Sequence, residues 1–317
     1  MESPQTLQEA IIYFADYDHC HEFMVKLRWP DGKVTCPRCG SDHVIYLEKA
    51  RAWKCYAKHA SAKFSLKTGT VFEDSPIGLD KWLPVTWMLV NDKNGISSWE
   101  IHRAMGVTQK TAWFMLQRVR LAMQGETHGK LSGEVEIDET FIGGKARNMH
   151  PAKRREKIQG RGPTGKVVVM GMLQRGGKVR TAVIANRDKE TLHEHVQKNV
   201  RKGSNVFTDE LVSYWGLNDK YIHEIINHAE EYVRGNVHTN GMENFWALLK
   251  RGLNGTYVSV EPFHLFRYID EQAFRFNNRN TMTDADRFAL VLSQIVGKRL
   301  TYAELTGKKV ETETQTI

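Results

Sequence analysis

Three acidic residues stand where short apolar runs end or where a helix begins, and together they could hold divalent cations. Asp138 follows Val-Glu-Ile and Asp209 follows Val-Phe-Thr, two runs of β-forming residues. Glu243 lies in Thr-Asn-Gly-Met-Glu-Asn-Phe-Trp, which opens an amphipathic helix with Lys250 seven residues further on. Carboxylates are preferred ligands of Mg²⁺ and Mn²⁺, and paired ions of this kind drive in-line attack on phosphodiesters. The pattern therefore predicts a two-metal site for phosphodiester chemistry.

Spacing alone does not select among the acids near these positions. Because strand side chains alternate between two faces, three acids share one face and a fourth lies on the other. They are Glu134, Glu136 and Asp138 on the shared face and Glu139 on the opposite face. Glu210 is the alternative to Asp209. Glu243 also has a structural interpretation, since with Asn240 as N-cap it would complete a capping box.

A second group of residues has the spacing of a zinc site. Cys36 and Cys39 in Cys-Pro-Arg-Cys-Gly form a knuckle, in which two thiolates share a tight turn and reach one metal ion. A second pair of ligands is expected 15 to 20 residues later, and Cys55 lies there without a second cysteine. His59 is the predicted fourth ligand, with His43 as its competitor. The sequence therefore predicts a Cys₃His zinc site.

Residues 96–113 have the pattern of a helix, a tight turn and a second helix. Ser97 and Thr108 are candidate N-caps of the two helices, and Gly106 lies in the turn. A helix-turn-helix places its second helix against DNA. The residues expected to reach outward from it are Gln109, Lys110 and Arg118. The alternative is that the apolar residues of this segment form the core of a helical linker.

Composition excludes several classes of protein. Hydrophobic residues make up 41% of the 317 residues, with 8 Trp, 10 Tyr and 13 Phe, which favours packed cores over disorder. There is no apolar run of 18 residues and no signal-peptide pattern at the N-terminus. Four cysteines without an export signal indicate a reducing cytoplasm, where metal binding is commoner than disulfides. Cys20 lies outside the zinc spacing, so we expect it to be buried.

Charge is concentrated in one block of the chain. The net charge is +8, and residues 145–180 alone contain 11 Lys and Arg against one acid, Glu156. Such a block suits a polyanion, with an attraction that weakens in salt. A solvated basic loop without a partner would have the same composition.

Around these motifs, the periodicity predicts an α/β layer pattern. The predicted elements are a helix over residues 1 to 30, a ribbon of strands over 33–75, helices within 80–123, strands at 134–142, 166–173, 179–185, 205–208 and 223–226, helices at 188–200 and 240–251, and a helical tail over 262–299. Gly252 is expected to close the helix that carries Glu243.

From Arg28 to Leu305 the chain resembles insertion-sequence transposases of the DDE type, specifically the ISXO-type group. The stretches that carry the resemblance are Arg-Trp-Pro-Asp-Gly from Arg28, Cys-Pro-Arg-Cys-Gly from Cys36, Phe64-Ser65, Thr-Gly-Thr from Thr68, Lys-Thr-Ala-Trp from Lys110, Glu-Ile-Asp-Glu-Thr from Glu136, Gly-Gly-Lys from Gly143, Thr208-Asp209, and His238-Thr239-Asn240 through Glu-Asn-Phe-Trp to Lys250-Arg251. The resemblance implies a ribonuclease-H-like mixed sheet with flanking helices, preceded by a zinc ribbon and a helix-turn-helix segment.

The resemblance also implies roles for single residues. Asp138, Asp209 and Glu243 would be catalytic and hold Mg²⁺ or Mn²⁺, with Asn240 and Asn244 as alternatives for the third position. Zn²⁺ would occupy the ribbon. The residues expected to contact DNA are Lys250, Arg251, Lys145, Lys110, Gln109 and Arg118.

The implied domains and partners follow from the same resemblance. The domains are an N-terminal helical segment (1–32), a zinc ribbon (33–76), a helix-turn-helix segment (77–126), a catalytic domain (130–256) and a helical extension (257–317). The partners would be double-stranded DNA, both the element's terminal repeats and the target, and a second copy of the chain on DNA, with no membrane. The implied activity is strand cleavage followed by strand transfer. Two alternatives stay open: a metal-dependent nuclease that does not join strands, and a non-enzymatic DNA-binding protein on the same scaffold.

Overall fold

The computed structural model describes residues 4–125, 129–144, 150–152, 155, 165–226 and 238–307. The chain divides into two compact units: unit 1 is Met1–Gly125 with Thr281–Ile317, and unit 2 is Glu126–Asn280. Lys145 and five more of the 11 Lys and Arg of the basic block lie outside the described residues. In the part of the chain that the structure describes, every helix is too short or too polar to cross a bilayer.

Unit 1 begins with two helices where the sequence predicted one. They are α1 (Leu7–Phe14) and α2 (Tyr17–Arg28). The Asp16 side chain accepts a hydrogen bond from the Asp18 backbone N–H at 2.7 Å and caps the second helix. An N-cap residue has extended backbone angles, so the chain turns there, and the prediction of a single helix is wrong.

A small antiparallel ribbon follows, as predicted. Its strands are β1 (Val44–Leu47), β2 (Ala52–Cys55) and β3 (Lys63–Phe64), paired in that order. Trp53 on β2 stacks on Phe64 with ring centroids 5.7 Å apart. Strands of two to four residues bury little apolar surface, so the ribbon needs a further source of stability.

Three helices complete this part of unit 1: α3 (Leu79–Asn91), α4 (Ser98–Met105) and α5 (Gln109–Met123). Ser97 caps α4 through a capping box, and Thr108 caps α5. Gly106 ends α4 with a φ of 61°, a left-handed conformation that glycine adopts without strain. The predicted helix, tight turn and second helix are therefore confirmed for α4 and α5.

Unit 2 is built on a mixed sheet. Its described strands are β4 (Glu134–Ile142), β5 (Val167–Gln174), β6 (Val179–Ile184), β7 (Asn205–Asp209) and β8 (Ile222–Ile226). The order is β6-β5-β4-β7-β8, with β4, β5 and β6 antiparallel and β7 and β8 parallel to β4. This confirms the α/β class and the mixed, ribonuclease-H-like sheet.

Helices cover both faces of this sheet. Helix α6 (Lys189–Asn199) packs on the face that presents Val135 and Ile137. Helices α7 (Asn240–Arg251) and α8 (Leu265–Asn278) pack on the opposite face, where Glu134, Glu136 and Asp138 point. The predicted alternation along β4 therefore separates an apolar face from an acidic one.

Helix α7 spans Asn240–Arg251 as predicted, with Gly252 in the C-cap position. Gly252 has right-handed angles, φ −61° and ψ −48°, and the chain continues as a π-helical segment to Tyr257. The predicted bounds of the helix are confirmed, but Gly252 lacks the left-handed conformation of a C-capping glycine and does not stop the helical path. After α8 the chain supplies two more helices to unit 1, α9 (Asp284–Ser293) and α10 (Tyr302–Thr306).

Candidate active site and metal centres

The first two acids lie next to each other at one end of the sheet. Strands β4 and β7 pair in parallel up to Glu136 opposite Phe207, and Asp138 and Asp209 each follow two residues later on their strands. Paired strands are about 4.8 Å apart, so two side chains at equal distances beyond the last pair lie close enough for their charges to interact. Burial and then the charge of Asp209 raise the pKa of Asp138 to about 6. The structure therefore pairs two carboxylates that repel each other.

Hydrogen bonds orient both aspartates. Asp138 Oδ1 accepts from the Glu139 backbone N–H at 2.8 Å, and its Oδ2 accepts from Trp246 Nε1 at 2.9 Å. Asp209 Oδ1 accepts from the Leu211 backbone N–H at 3.1 Å. Because the donors belong to the strand, the helix and the loop after β7, three elements fix the direction of these carboxylates.

Helix α7 lies along β4 with matched spacing. Its Met242 N–H donates to Glu136 Oε2 at 3.0 Å, and Trp246, one turn later, reaches Asp138, two residues along the strand. Four helical residues rise about 6 Å and two strand residues about 6.6 Å, so both contacts form together. Gly171, opposite Asp138 on β5, permits this approach, because a Cβ there would lie 2.2 Å from the Met242 side chain.

The third acid stands at the rim of this arrangement. Glu243 is exposed on α7, one residue after Met242, and its charge makes the smallest of the contributions that raise the pKa of Asp138. The three carboxylates do not form a compact ligand set. Among the described residues, sets of His, Cys, Asp or Glu whose ligand atoms all lie within 4.8 Å occur only in the ribbon.

The capping-box interpretation of Glu243 is wrong. The N-cap of α7 is Thr239 rather than Asn240, and its side chain makes no capping hydrogen bond. The carboxylate that serves this helix end is Glu136, through the Met242 N–H. Glu243 is thus not used as a cap.

The alternative acids on β4 are engaged elsewhere. Glu134 and Glu136 both pair with Arg175, at 3.3 Å and 2.8 Å. Glu139 points to the opposite face, where the Tyr214 hydroxyl donates to it. Burial, followed by the charges of Asp209 and Asp138, raises the pKa of Glu139 to about 8, against a smaller opposing effect of Arg187.

The ribbon gathers the predicted Cys₃His set. The set consists of Cys36, Cys39, Cys55 and His59. Cys39 Sγ lies 3.7 Å from Cys55 Sγ, and Cys36 Sγ lies 3.6 Å from His59 Nε2. A tetrahedron with Zn–S bonds of about 2.3 Å has edges of about 3.8 Å, which these two distances match. All four ligand atoms lie within 4.8 Å of one another, so the set is suited to zinc. His43 is outside the set and stacks on Tyr56 instead, and Cys20 is fully buried as expected.

The candidate DNA contacts divide into exposed and buried residues. Lys250, Arg251 and Lys110 are exposed. Gln109 is half-buried and donates to Ser98 Oγ at 2.8 Å. The expectation that Arg118 reaches outward is wrong: it is 5% exposed and donates to the backbone carbonyls of Leu300 and Glu73. Lys145 lies outside the described residues.

Residues 130–277 match the ISXO2-like transposase domain, and residues 16–58 match the transposase zinc-ribbon domain. A protein in transposable element ISH50 of Halobacterium salinarum is 28% identical over 242 residues, 73% of this chain and 81% of that protein. A transposase-like protein of Haemophilus influenzae is 33% identical over 102 residues, 32% of this chain and 82% of that protein. The chain belongs to the ISXO2-like transposase family.

The raised pKa values of Asp138 and Glu139 make the stability of the metal-free protein depend on pH. Folding raises the pKa of Asp138 from 3.8 to about 6 and that of Glu139 from 4.5 to about 8. The folded state therefore binds protons that the unfolded chain has released, and this stabilisation is lost as pH rises through those values. We expect the melting temperature of the metal-free protein to fall between about pH 5 and pH 8, and Mg²⁺ to restore part of it at pH 8.

This prediction is measured by calorimetry at several pH values with and without Mg²⁺. Glu139→Gln should flatten the slope, because it removes one of the two groups. Equal slopes in wild type and Glu139→Gln, or a wild-type melting temperature that rises over this range, would contradict the assignment.

Proposed function

We propose that this transposase binds the terminal repeats of its insertion sequence and catalyses Mg²⁺-dependent strand cleavage and strand transfer. Asp138, Asp209 and Glu243 would hold the ions. The observation that supports this most is that Asp138 and Asp209 follow the last paired residues of β4 and β7 inside the transposase domain, where burial and then the charge of Asp209 raise the pKa of Asp138 to about 6. Adjacent acids that repel each other are poor structural residues and good ligands for divalent cations.

The protein's own part in the reaction is positioning. Bound divalent ions would supply an activated water and neutralise the departing 3′ oxygen. Trp246 and the Glu139 N–H hold Asp138 in one orientation, and the Leu211 N–H does the same for Asp209. Carboxylates that are already oriented need not reorganise when the phosphate binds. This pre-organisation lowers the activation free energy and is the main source of rate acceleration in a site of this kind.

DNA binding is assigned to exposed cations and to the first unit. Lys250 and Arg251 follow Glu243 on α7 and would hold phosphates beside the cut. The ribbon with its zinc ion and the α4–α5 pair, through Lys110 and Gln109, would recognise the terminal repeat. Two ends must be held together for transfer, so we propose that the protein works as a homo-oligomer on DNA.

The direct test uses labelled duplexes carrying the element's end, incubated with protein, Mg²⁺ and target plasmid. Cleavage at the end together with a joined product supports the proposal. Cleavage without joining would identify a nuclease, and binding without cleavage a DNA-binding protein that has lost its chemistry. Either outcome would replace the proposed function.

The same assay identifies the third acidic position. We expect Glu243→Gln to lower cleavage by about a hundredfold or more, because a ligand that would complete the site is lost. Asn240→Ala and Asn244→Ala change exposed residues near the start of α7 and should stay within about threefold of wild type, a range typical of surface changes. A larger loss in either asparagine variant would move the third position to that residue.

A further inference from the structure

A buried carboxylate joins three separate segments of unit 2. The Glu136 side chain is 1% exposed, and its Oε1 accepts a hydrogen bond from Arg175 Nε at 2.8 Å. The same oxygen lies 3.3 Å from His238 Nδ1, and Oε2 accepts from the Met242 N–H at 3.0 Å. A buried carboxylate with this many partners has little freedom to move. Strand β4, the turn after β5 and the start of α7 therefore share one fixed point.

Arg175 extends the same network to a fourth segment. Its Nη2 donates to the His238 backbone carbonyl at 2.8 Å. Its guanidinium carbon lies 4.3 Å from the centroid of the Phe207 ring, on β7. A planar guanidinium with hydrogen bonds at its edge and an aromatic ring at its face is held in all directions. We call these contacts of Glu136 and Arg175 the Glu136–Arg175 network.

Each proposed metal ligand lies one or two residues from a member of this network. The pairs are Glu136 with Asp138 on β4, Phe207 with Asp209 on β7, and Met242 with Glu243 on α7. Residues two apart on a strand share a face, so a shift of the network member carries the ligand with it. No single element contains all three acids, and the network contacts each element that contains one.

The start of α7 depends on this contact. Its N-cap residue, Thr239, makes no side-chain capping bond. A helix N-terminus carries unsatisfied N–H groups and a partial positive charge. The Glu136 carboxylate accepts a hydrogen bond from one of these groups, the Met242 N–H, and its negative charge offsets the partial positive charge. Gly241 makes the approach possible, since a Cβ there would lie 2.7 Å from Glu136 Oε2. The helix is thereby held against β4 at its first turn.

We propose that Glu136 and Arg175 are positioning residues that set the distance between the Asp138–Asp209 pair and Glu243, and so determine the affinity of the site for divalent cations. This inference rests on the proposed function. The proposal gives Glu136 a role that Glu134 does not have, although spacing alone does not distinguish these two acids of β4. Glu136 would act through Asp138 and Glu243 and would not itself bind metal.

The test compares two variants of neighbouring glutamates on the same face of β4. Glu136→Gln keeps an acceptor for the Met242 N–H but loses the charge that holds Arg175. Glu134→Gln is the matched control, because Glu134 also pairs with Arg175, at 3.3 Å, but its side chain is 41% exposed and lies two residues before the contact with α7. Mn²⁺ binding is measured by electron paramagnetic resonance on the full chain, and cleavage is measured over a range of Mg²⁺ concentrations.

We expect Glu136→Gln to weaken Mn²⁺ binding about tenfold, at the lower end of the range for residues that orient metal ligands. The Mg²⁺ concentration for half-maximal cleavage should rise by a similar factor, with the rate largely recovered at saturation. Glu134→Gln should stay within about twofold in both measurements. Arg175→Lys, which keeps the charge but loses the planar fork, should resemble Glu136→Gln.

Hydrogen exchange provides a measurement that does not depend on catalysis. The peptide over residues 238–246 should exchange faster in Glu136→Gln than in Glu134→Gln, because the Met242 N–H loses its charged partner. Unchanged Mn²⁺ affinity in both Glu136→Gln and Arg175→Lys would overturn the proposal, and so would equal weakening in Glu134→Gln. If the wild type binds Mn²⁺ without cutting DNA, the proposed function fails, and the Mn²⁺ and exchange results still decide the positioning role.

Discussion

Asp138→Asn is expected to reduce strand cleavage by at least about a thousandfold, because removal of even one neutral pre-organised hydrogen-bond donor from an active site costs about a hundred- to a thousandfold, and here a charged metal ligand is lost. Asparagine keeps the acceptor for the Glu139 N–H and nearly the same volume, but its amide is a poor ligand for Mg²⁺. Binding to the element's end should persist, because the exposed cations assigned to DNA are untouched. The measurement is single-turnover cleavage of a labelled end, with a gel-shift assay beside it.

The same variant should be more stable than wild type at pH 8 without metal. Wild-type Asp138 must ionise beside Asp209 in a buried position, and the raised pKa of Asp138 measures that cost. The amide that replaces this carboxylate cannot ionise, so the melting temperature should rise most at pH 8. The gain should be smaller at pH 5 and vanish below about pH 4, because the unfolded carboxyl ionises from a pKa of 3.8 and the folded one only from about 6. Loss of activity with a gain in stability excludes misfolding as the cause.

Asp219→Asn is the matched control for this substitution. Asp219 is an exposed aspartate of the same unit, in the short helix after β7, and has no assigned role in the site. Cleavage and melting temperature should both stay near wild type. Normal cleavage by Asp138→Asn would show that Asp138 is not a metal ligand. Equal losses of cleavage in the two variants would show that the loss follows from the change in net charge and not from the site.

Local patterns in the sequence predicted the strands of unit 2 well. The alternation from Glu134 to Asp138 matches the strand β4, with Val135 and Ile137 in the core as period two requires. The Cys-Pro-Arg-Cys-Gly knuckle led to the Cys₃His set in the same way, because zinc ligands of a ribbon are close in the chain. The capping residues of α4 and α5 could also be predicted from the sequence, because an N-cap side chain bonds to a backbone N–H only two or three residues away.

Contacts between segments that are distant in the chain could not be predicted from these local patterns. Glu136 serves the start of α7 from 106 residues away, so local spacing indicates a capping box that does not exist. Arg118 has the charge and helical position of a DNA contact, but its guanidinium is taken up by backbone carbonyls of Glu73 and Leu300. The sequence marks Trp246 only through the family resemblance, because nothing in its own helix indicates that its indole donates to a carboxylate on a strand.

Removal of zinc is expected to unfold the ribbon. Structural zinc contributes about 10–16 kcal/mol to the folding of small zinc-finger domains. The strands of the ribbon have two to four residues each and bury too little surface to remain folded alone. We therefore expect about one zinc ion per chain, and rapid hydrogen exchange over residues 44–64 after chelation.

Two matched pairs of variants identify the ligands. Cys55→Ser and Cys20→Ser both replace a buried cysteine, but only Cys55 lies in the cluster, whereas burial raises the pKa of Cys20 to about 12 and keeps it a thiol. His59→Ala and His43→Ala make the same comparison for the fourth ligand. Zinc content should fall in Cys55→Ser and His59→Ala and stay near one ion in the other two. A zinc loss in His43→Ala with retention in His59→Ala would exchange the two histidines, which requires the ring of His43 to leave Tyr56 and turn toward Cys36.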